Sequence, residues 1–192
     1  KECDWSSDVC SSDLPYHPLY APVGWRGWWD FGTGALGDMG CHLLDGAFWA
    51  LDLDAPVRVE PISAKQTSVS APVASMIVFH FPKRGNRPAI KWTWYDGGLN
   101  PMLPPEVPET YKFSPSGTFV VGTKATVYAP DYYDSVRIIP EAKMKEMAPS
   151  LPPKTLPRIE GGHFAEWIRA CKGGPAAGSN FAYASKLTEM CL

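Results

Sequence analysis

From Gly34 the chain becomes periodic. Leu36, Leu43, Leu44, Ala47, Phe48 and Leu51 recur at helical spacing and predict a buried helix over Gly34–Leu53. Before it, Pro15–Asp30 (PYHPLYAPVGWRGWWD) is aromatic and broken by Pro15, Pro18 and Pro22, which forces a loop. After it the period changes. Val57–Ser68, Ala74–Pro82 and Pro88–Tyr95 are rich in β-branched and aromatic residues and read as strands, with Lys83–Arg87 (KRGNR) as a hairpin turn. Asn100–Pro108 carries four prolines and must be loop. Thr118–Val121, Ala125–Ala129 and Ser135–Ile139 predict short strands, the first two joined by a turn at Gly122-Thr123-Lys124. A short helix over Glu141–Met147 and an amphipathic helix over Gly162–Lys172, stopped by Gly173-Gly174, follow. A last helix starts at Phe181 and the sequence ends inside it. Successive strands flanked by helices predict an α+β fold, an open, mostly antiparallel sheet covered on one face by helices.

Composition narrows the class. The 192 residues are 45% hydrophobic and 12% aromatic with 8 Trp, which excludes a disordered tail, a collagen repeat and a coiled coil. The 20 prolines argue against a helical bundle. No apolar run reaches the roughly 18 residues that a membrane helix needs. A net charge of −2 gives no case for nucleic acid or an anionic membrane as partner.

The first fourteen residues, KECDWSSDVCSSDL, differ in texture from the rest: Ser/Asp-rich and without periodicity. Asp4–Leu14 resembles one reading frame of a sequencing-library adapter, so residues 1–14 are expected to be a non-native leader and 15–192 the domain. Without them the chain holds 17 basic and 16 acidic residues, net +1, and three cysteines, Cys41, Cys171 and Cys191. Their wide spacing argues against a disulfide framework or structural zinc, and fits a reducing compartment.

Gly32-Thr33-Gly34-Ala35-Leu36-Gly37 spells G-x-G-x-x-G at a helix start, the pattern of a dinucleotide site. Its context refuses that reading. No β-branched strand precedes it, and Asp38 places a carboxylate where a pyrophosphate would sit. The expectation is tight packing of a loop against a helix start.

Asp38, His42 and Asp45 fall at i, i+4 and i+7, on one helix face beside Trp25, Arg26, Trp28 and Trp29. Three readings stay open: a structural helix start with a satisfied His, a metal site lacking the H-E-x-x-H spacing, or a general acid/base pair facing a substrate. The aromatics with Arg26 suit the wall of a polyol or sugar pocket, or simply cap the core. Asp96, before Gly97-Gly98 at a strand end, could approach such a pocket. His163, Glu166 and Trp167 have ordinary structural explanations, and His17 and His80 are unassigned.

WRGWWDFGTGALGDMGCHLLD (Trp25–Asp45), IKWTWYDGG (Ile90–Gly98), GHFAEWIRACKGG (Gly162–Gly174) and FAYASKLTEM (Phe181–Met190) resemble the C-terminal domain of the glucose–fructose oxidoreductase/inositol dehydrogenase (Gfo/Idh/MocA) family. The likeness covers about 178 of the 192 residues, and its most specific block is the glycine-led Asp-x-x-x-His helix. It implies a dihydrodipicolinate-reductase-like C-terminal fold whose open sheet face mediates homo-oligomerisation. It also implies that His42 acts as general acid/base on the hydroxyl of a sugar, inositol or related polyol, with Asp38 assisting; Arg26, Trp28, Trp29, Asp45 and Asp96 nearby are the candidate substrate contacts. The family's cofactor, NAD or NADP, is bound mainly by an N-terminal Rossmann domain with a Glu-Lys-Pro motif. Neither motif nor domain is found here, so a truncated chain, inactive alone, is the expectation, with a cytoplasmic location unless a missing leader exported it. An NAD-dependent glycosidase of the same fold, a non-catalytic binding or oligomerisation module and a metallohydrolase are the competing functions.

Overall fold

The computed structural model describes residues 15–108 and 111–192, and the proposed leader lies outside the described residues. The predicted long helix, α1, spans Gly34–Ala50 and buries Leu43, Leu44, Ala47 and Phe48. Its stripe meets the first sheet, β1 (Arg58–Ala64), β2 (Ala74–Phe81) and β3 (Ile90–Tyr95), antiparallel in the order β1-β2-β3. Alternation decides the faces. Ile77, Phe79 and Phe81 of β2 pair with Trp94, Trp92 and Ile90 of β3, and this face turns to α1. The other face carries Arg58–His80–Lys91, Glu60–Val78–Thr93 and Ile62–Met76–Tyr95 as cross-strand rows. The β2–β3 turn closes at Lys83–Arg87 as the residues predict, through reciprocal backbone bonds between Arg84 and Arg87.

A second antiparallel sheet follows, β4 (Gly117–Val121), β5 (Thr126–Pro130) and β6 (Arg137–Ile139), in the order β4-β5-β6. The strands anticipated from the sequence thus divide between two three-stranded sheets instead of forming one. After β3 the chain leaves through Gly97 and Gly98, both at positive φ, and then the proline-rich loop. The strand edge is therefore not continued, and β4 pairs forward with β5. Phe119, Tyr128 and Ile139 share one face and receive Val107, Tyr111 and Phe113 as a small second core. On its other face Thr118 Oγ1 donates to the Leu43 carbonyl of α1 at 2.7 Å.

Helix α2 (Glu141–Met147) packs on β6, and α4 (Phe181–Cys191) lies along α1. Leu187, Met190 and Cys191 of α4 complete the main core with Phe48, Phe79, Phe81 and Trp94. The crossing is close at Gly40, where a Cβ would lie 2.8 Å from Cys191 Sγ. Helix α3 (Gly162–Cys171) buries none of its residues and leaves Phe164, Trp167 and Ile168 exposed. No helix among the described residues is long and apolar enough to cross a membrane.

Candidate active site

The exposed side of α1 carries Asp38, His42 and Asp45, as its spacing predicts, and each side chain has a different partner. Asp38 faces Arg26, whose Nε lies 3.0 Å from its Oδ2. That ion pair ties the 3₁₀ turn Gly24–Gly27 to the first turns of the helix, and the Arg26 guanidinium stands 5.7 Å from the Trp25 ring centre. His42 is exposed and forms no ion pair with either carboxylate. Its neighbour is Tyr132, ring centroids 5.3 Å apart and planes at 68°. Asp45 accepts a 2.5 Å hydrogen bond from the hydroxyl of Tyr183 on α4. Burial and the adjacent Asp45 carboxylate push the Tyr183 phenol well above its usual range. The trio is thus one face with three separate contacts, and Asp38, expected to assist His42, is paired with Arg26. Among the described residues no group of three His, Cys, Asp or Glu is placed to hold a metal ion.

The aromatic loop is packed as much as it is presented. Trp28 bridges to Ser70 and meets Tyr20 edge-on at 5.3 Å, while Trp29 bonds Val69 through its backbone and lies 48% exposed. Backbone bonds at Gly27, Trp28 and Trp29, with the Trp29 indole N–H donating to the Thr67 carbonyl at 3.4 Å, therefore anchor the loop to residues 67–71 while Arg26 reaches the helix. Asp96 belongs to the first sheet. It accepts three bonds of 2.6 Å, from Ser75 N, Ser75 Oγ and Trp94 Nε1, and these lock the end of β3 to β2. It shares no hydrogen bond with Asp38, His42 or Arg26, so the strand-end carboxylate serves the sheet.

The glycine run does not fit a dinucleotide. A 3₁₀ turn, not a strand, lies before it, and neighbouring chain packs closely on its glycines. A Cβ on Gly32 would lie 2.5 Å from the Arg26 carbonyl oxygen, and one on Gly34 2.7 Å from Ala71 Cβ. Gly34 also holds φ at +73°, which favours glycine. These glycines serve close packing.

The sequence alone missed Tyr132 and Tyr133. They follow β5 in a short 3₁₀ segment, Asp131–Tyr133, with φ of 60° and 59°. Left-handed backbone costs a bulky residue roughly 1–2 kcal/mol. Tertiary bonds hold it in place. The Tyr133 hydroxyl donates to the Leu43 carbonyl at 2.7 Å, and its ring lies where a Gly46 side chain would be. The only available signal was a pair of tyrosines bracketed by Asp131 and Asp134 between two strands.

Among the described residues are two shallow depressions, neither lined by His42, the second bordering Tyr183 beside Asp45. One is lined by Glu106, Thr123, Lys124, Pro140 and Lys143, the other by Trp49, Asp52, Asn180, Tyr183 and Lys186. Neither gathers a His with a carboxylate, so the chemistry of the α1 face outweighs their shape.

Residues 8–83 match the family described as the oxidoreductase family, C-terminal alpha/beta domain, of the Gfo/Idh/MocA group. The matched segment contains the aromatic loop, all of α1 and the first two strands. No curated protein matches the chain.

Proposed function

We propose that this chain is the substrate-side domain of an NAD(P)-dependent oxidoreductase acting on a sugar, inositol or related polyol, with His42 as its general acid/base. The observation that carries the reading is an exposed imidazole, flanked by an aromatic ring, inside the segment that matches an oxidoreductase C-terminal domain. A nicotinamide held by a dinucleotide-binding unit outside these residues would supply the hydride acceptor.

The chain's own residues do the rest. His42 takes the proton of the substrate hydroxyl as the alcohol becomes a carbonyl, and returns it in the reverse direction. Asp38 acts through Arg26: the pair holds the tryptophan loop against the helix and keeps a compensated charge pair beside the imidazole. Trp28 and Trp29 supply the loop's apolar wall. Asp45 and Tyr183 hold α4 to α1 below the site. The outward row Ile62–Met76–Tyr95 of the first sheet supports self-association through that face. The exposed Cys41 and Cys171 thiols support a reducing, cytoplasmic setting.

Titrating the chain with myo-inositol while following its histidine ring resonances tests where substrate binds. His42 is expected to move while His17, His80 and His163 stay. Movement confined to any other histidine contradicts the assignment.

A further inference from the structure

The segment between β5 and β6 holds a strained backbone around an exposed ring. Tyr132 and Tyr133 are consecutive left-handed residues, a conformation that asparagine or glycine adopts far more readily. Such strain persists only where the surroundings over-determine it, and here both flanks are pinned. Asp131 accepts from Ser116 Oγ at 2.6 Å and from Ser114 Oγ at 3.3 Å. Tyr133 is tied to the Leu43 carbonyl and seated on Gly46.

Tyr132, between these anchors, does not enter the core. It is 60% exposed, and its aromatic partner among the described residues is the His42 imidazole. With ring planes at 68° and centroids 5.3 Å apart, the phenol and the imidazole form two walls of an open corner. A packing role explains Tyr133, half-buried against α1; it does not explain Tyr132.

We infer that Tyr132 is the stacking platform for a cyclic polyhydroxyl substrate, a substrate-contact residue selecting rings over open chains. The inference rests on the reading of His42 as the acid/base. A cyclitol or pyranose presents its axial C–H bonds as an apolar face and its hydroxyls at the rim. Laid on the Tyr132 ring, such a molecule directs a rim hydroxyl toward the adjacent wall, where the imidazole stands. An open-chain polyol has the same hydroxyls and no flat face to stack.

The test compares myo-inositol with D-sorbitol, equal in hydroxyl number, titrated into the full chain and read at the His42 and Tyr132 ring resonances. Tyr132→Asn removes the ring and suits the left-handed backbone; Tyr132→Phe keeps the ring. Wild type and Tyr132→Phe are expected to bind myo-inositol within about twofold of each other, and Tyr132→Asn about tenfold more weakly, the scale of one aromatic contact. Sorbitol affinity is expected to be the same in all three, and Tyr132→Asn to melt no lower than wild type. If Tyr132→Asn binds myo-inositol as wild type does while His42 still responds, the platform is overturned and the acid/base reading stands. A markedly lower melting temperature for Tyr132→Asn also overturns it, because the ring would then be a packing element. If neither polyol moves His42, the acid/base reading fails and the platform with it.

Discussion

Two carboxylates show how residue type and residue role separate. Asp38 and Asp96 are both site candidates in the sequence, Asp38 as the partner of His42 and Asp96 as a strand-end carboxylate able to approach the pocket. Asp96 is consumed by Ser75 and Trp94, and Ser75 lies 21 residues earlier in the chain. No local pattern announces that partner. Charge-assisted bonds of this kind contribute about 1.5–3 kcal/mol each, so Asp96→Ala should lower stability by about 2–4 kcal/mol. Denaturant unfolding checks this, and His42 should respond to polyol unchanged in the variant that remains folded. A neutral Asp96→Ala would mean that the carboxylate is free for another task. Tyr133 makes a pH-dependent prediction. Burial raises its phenol pKa above the ordinary value of 10.0. A raised pKa adds stability that is fully present below the unfolded value and is lost as pH rises through the folded one. The melting temperature should therefore fall above about pH 10, and Tyr133→Phe should flatten that fall, leaving the contributions of Tyr128 and Tyr183, also raised. An alkaline limb identical in Tyr133→Phe would refute the role.

At the scale of elements, α1 is the part most legible in the sequence. Its stripe, its glycine lead and its Asp-x-x-x-His spacing are all local, and the helix forms over Gly34–Ala50 within three residues of its predicted end. The hairpin at Lys83–Arg87 and the helix at Glu141–Met147 were legible for the same reason. The left-handed tyrosines were not. Their conformation is imposed by Gly46 and Leu43, some ninety residues away, and by the two serines that hold Asp131. The division into two sheets was likewise hidden, because local alternation predicts a strand but not its neighbour. Gly46 is where α1 and the tyrosine segment meet. A methyl group there would lie 2.6 Å from the Tyr133 ring, which cannot yield without shifting the segment. Gly46→Ala should cost about 1–3 kcal/mol in overpacking, more than the roughly 1 kcal/mol of helix propensity it gains. Thermal unfolding measures the net effect. A stabilised Gly46→Ala would show that the segment is not seated on the helix as described.

Across the whole molecule, α1 is the shared member of every layer. Its apolar stripe meets the first sheet and α4, its Leu43 carbonyl collects the second sheet and Tyr133, and its polar face carries Asp38 and His42. Loop and tyrosine segment thus meet the same helix, the loop at Asp38 through Arg26 and the tyrosine segment at His42 through Tyr132. The glycine run that spells a dinucleotide motif is spent on packing that helix. On the proposed reading, His42 moves the proton and a nicotinamide held outside these residues accepts the hydride. The most direct test joins residues 15–192 to a dinucleotide-binding domain of the family and measures turnover of a cyclic polyol with NAD or NADP. His42→Ala should lower kcat by about 10²–10⁴-fold, the usual share of general acid/base catalysis. Turnover unchanged by His42→Ala would contradict the account.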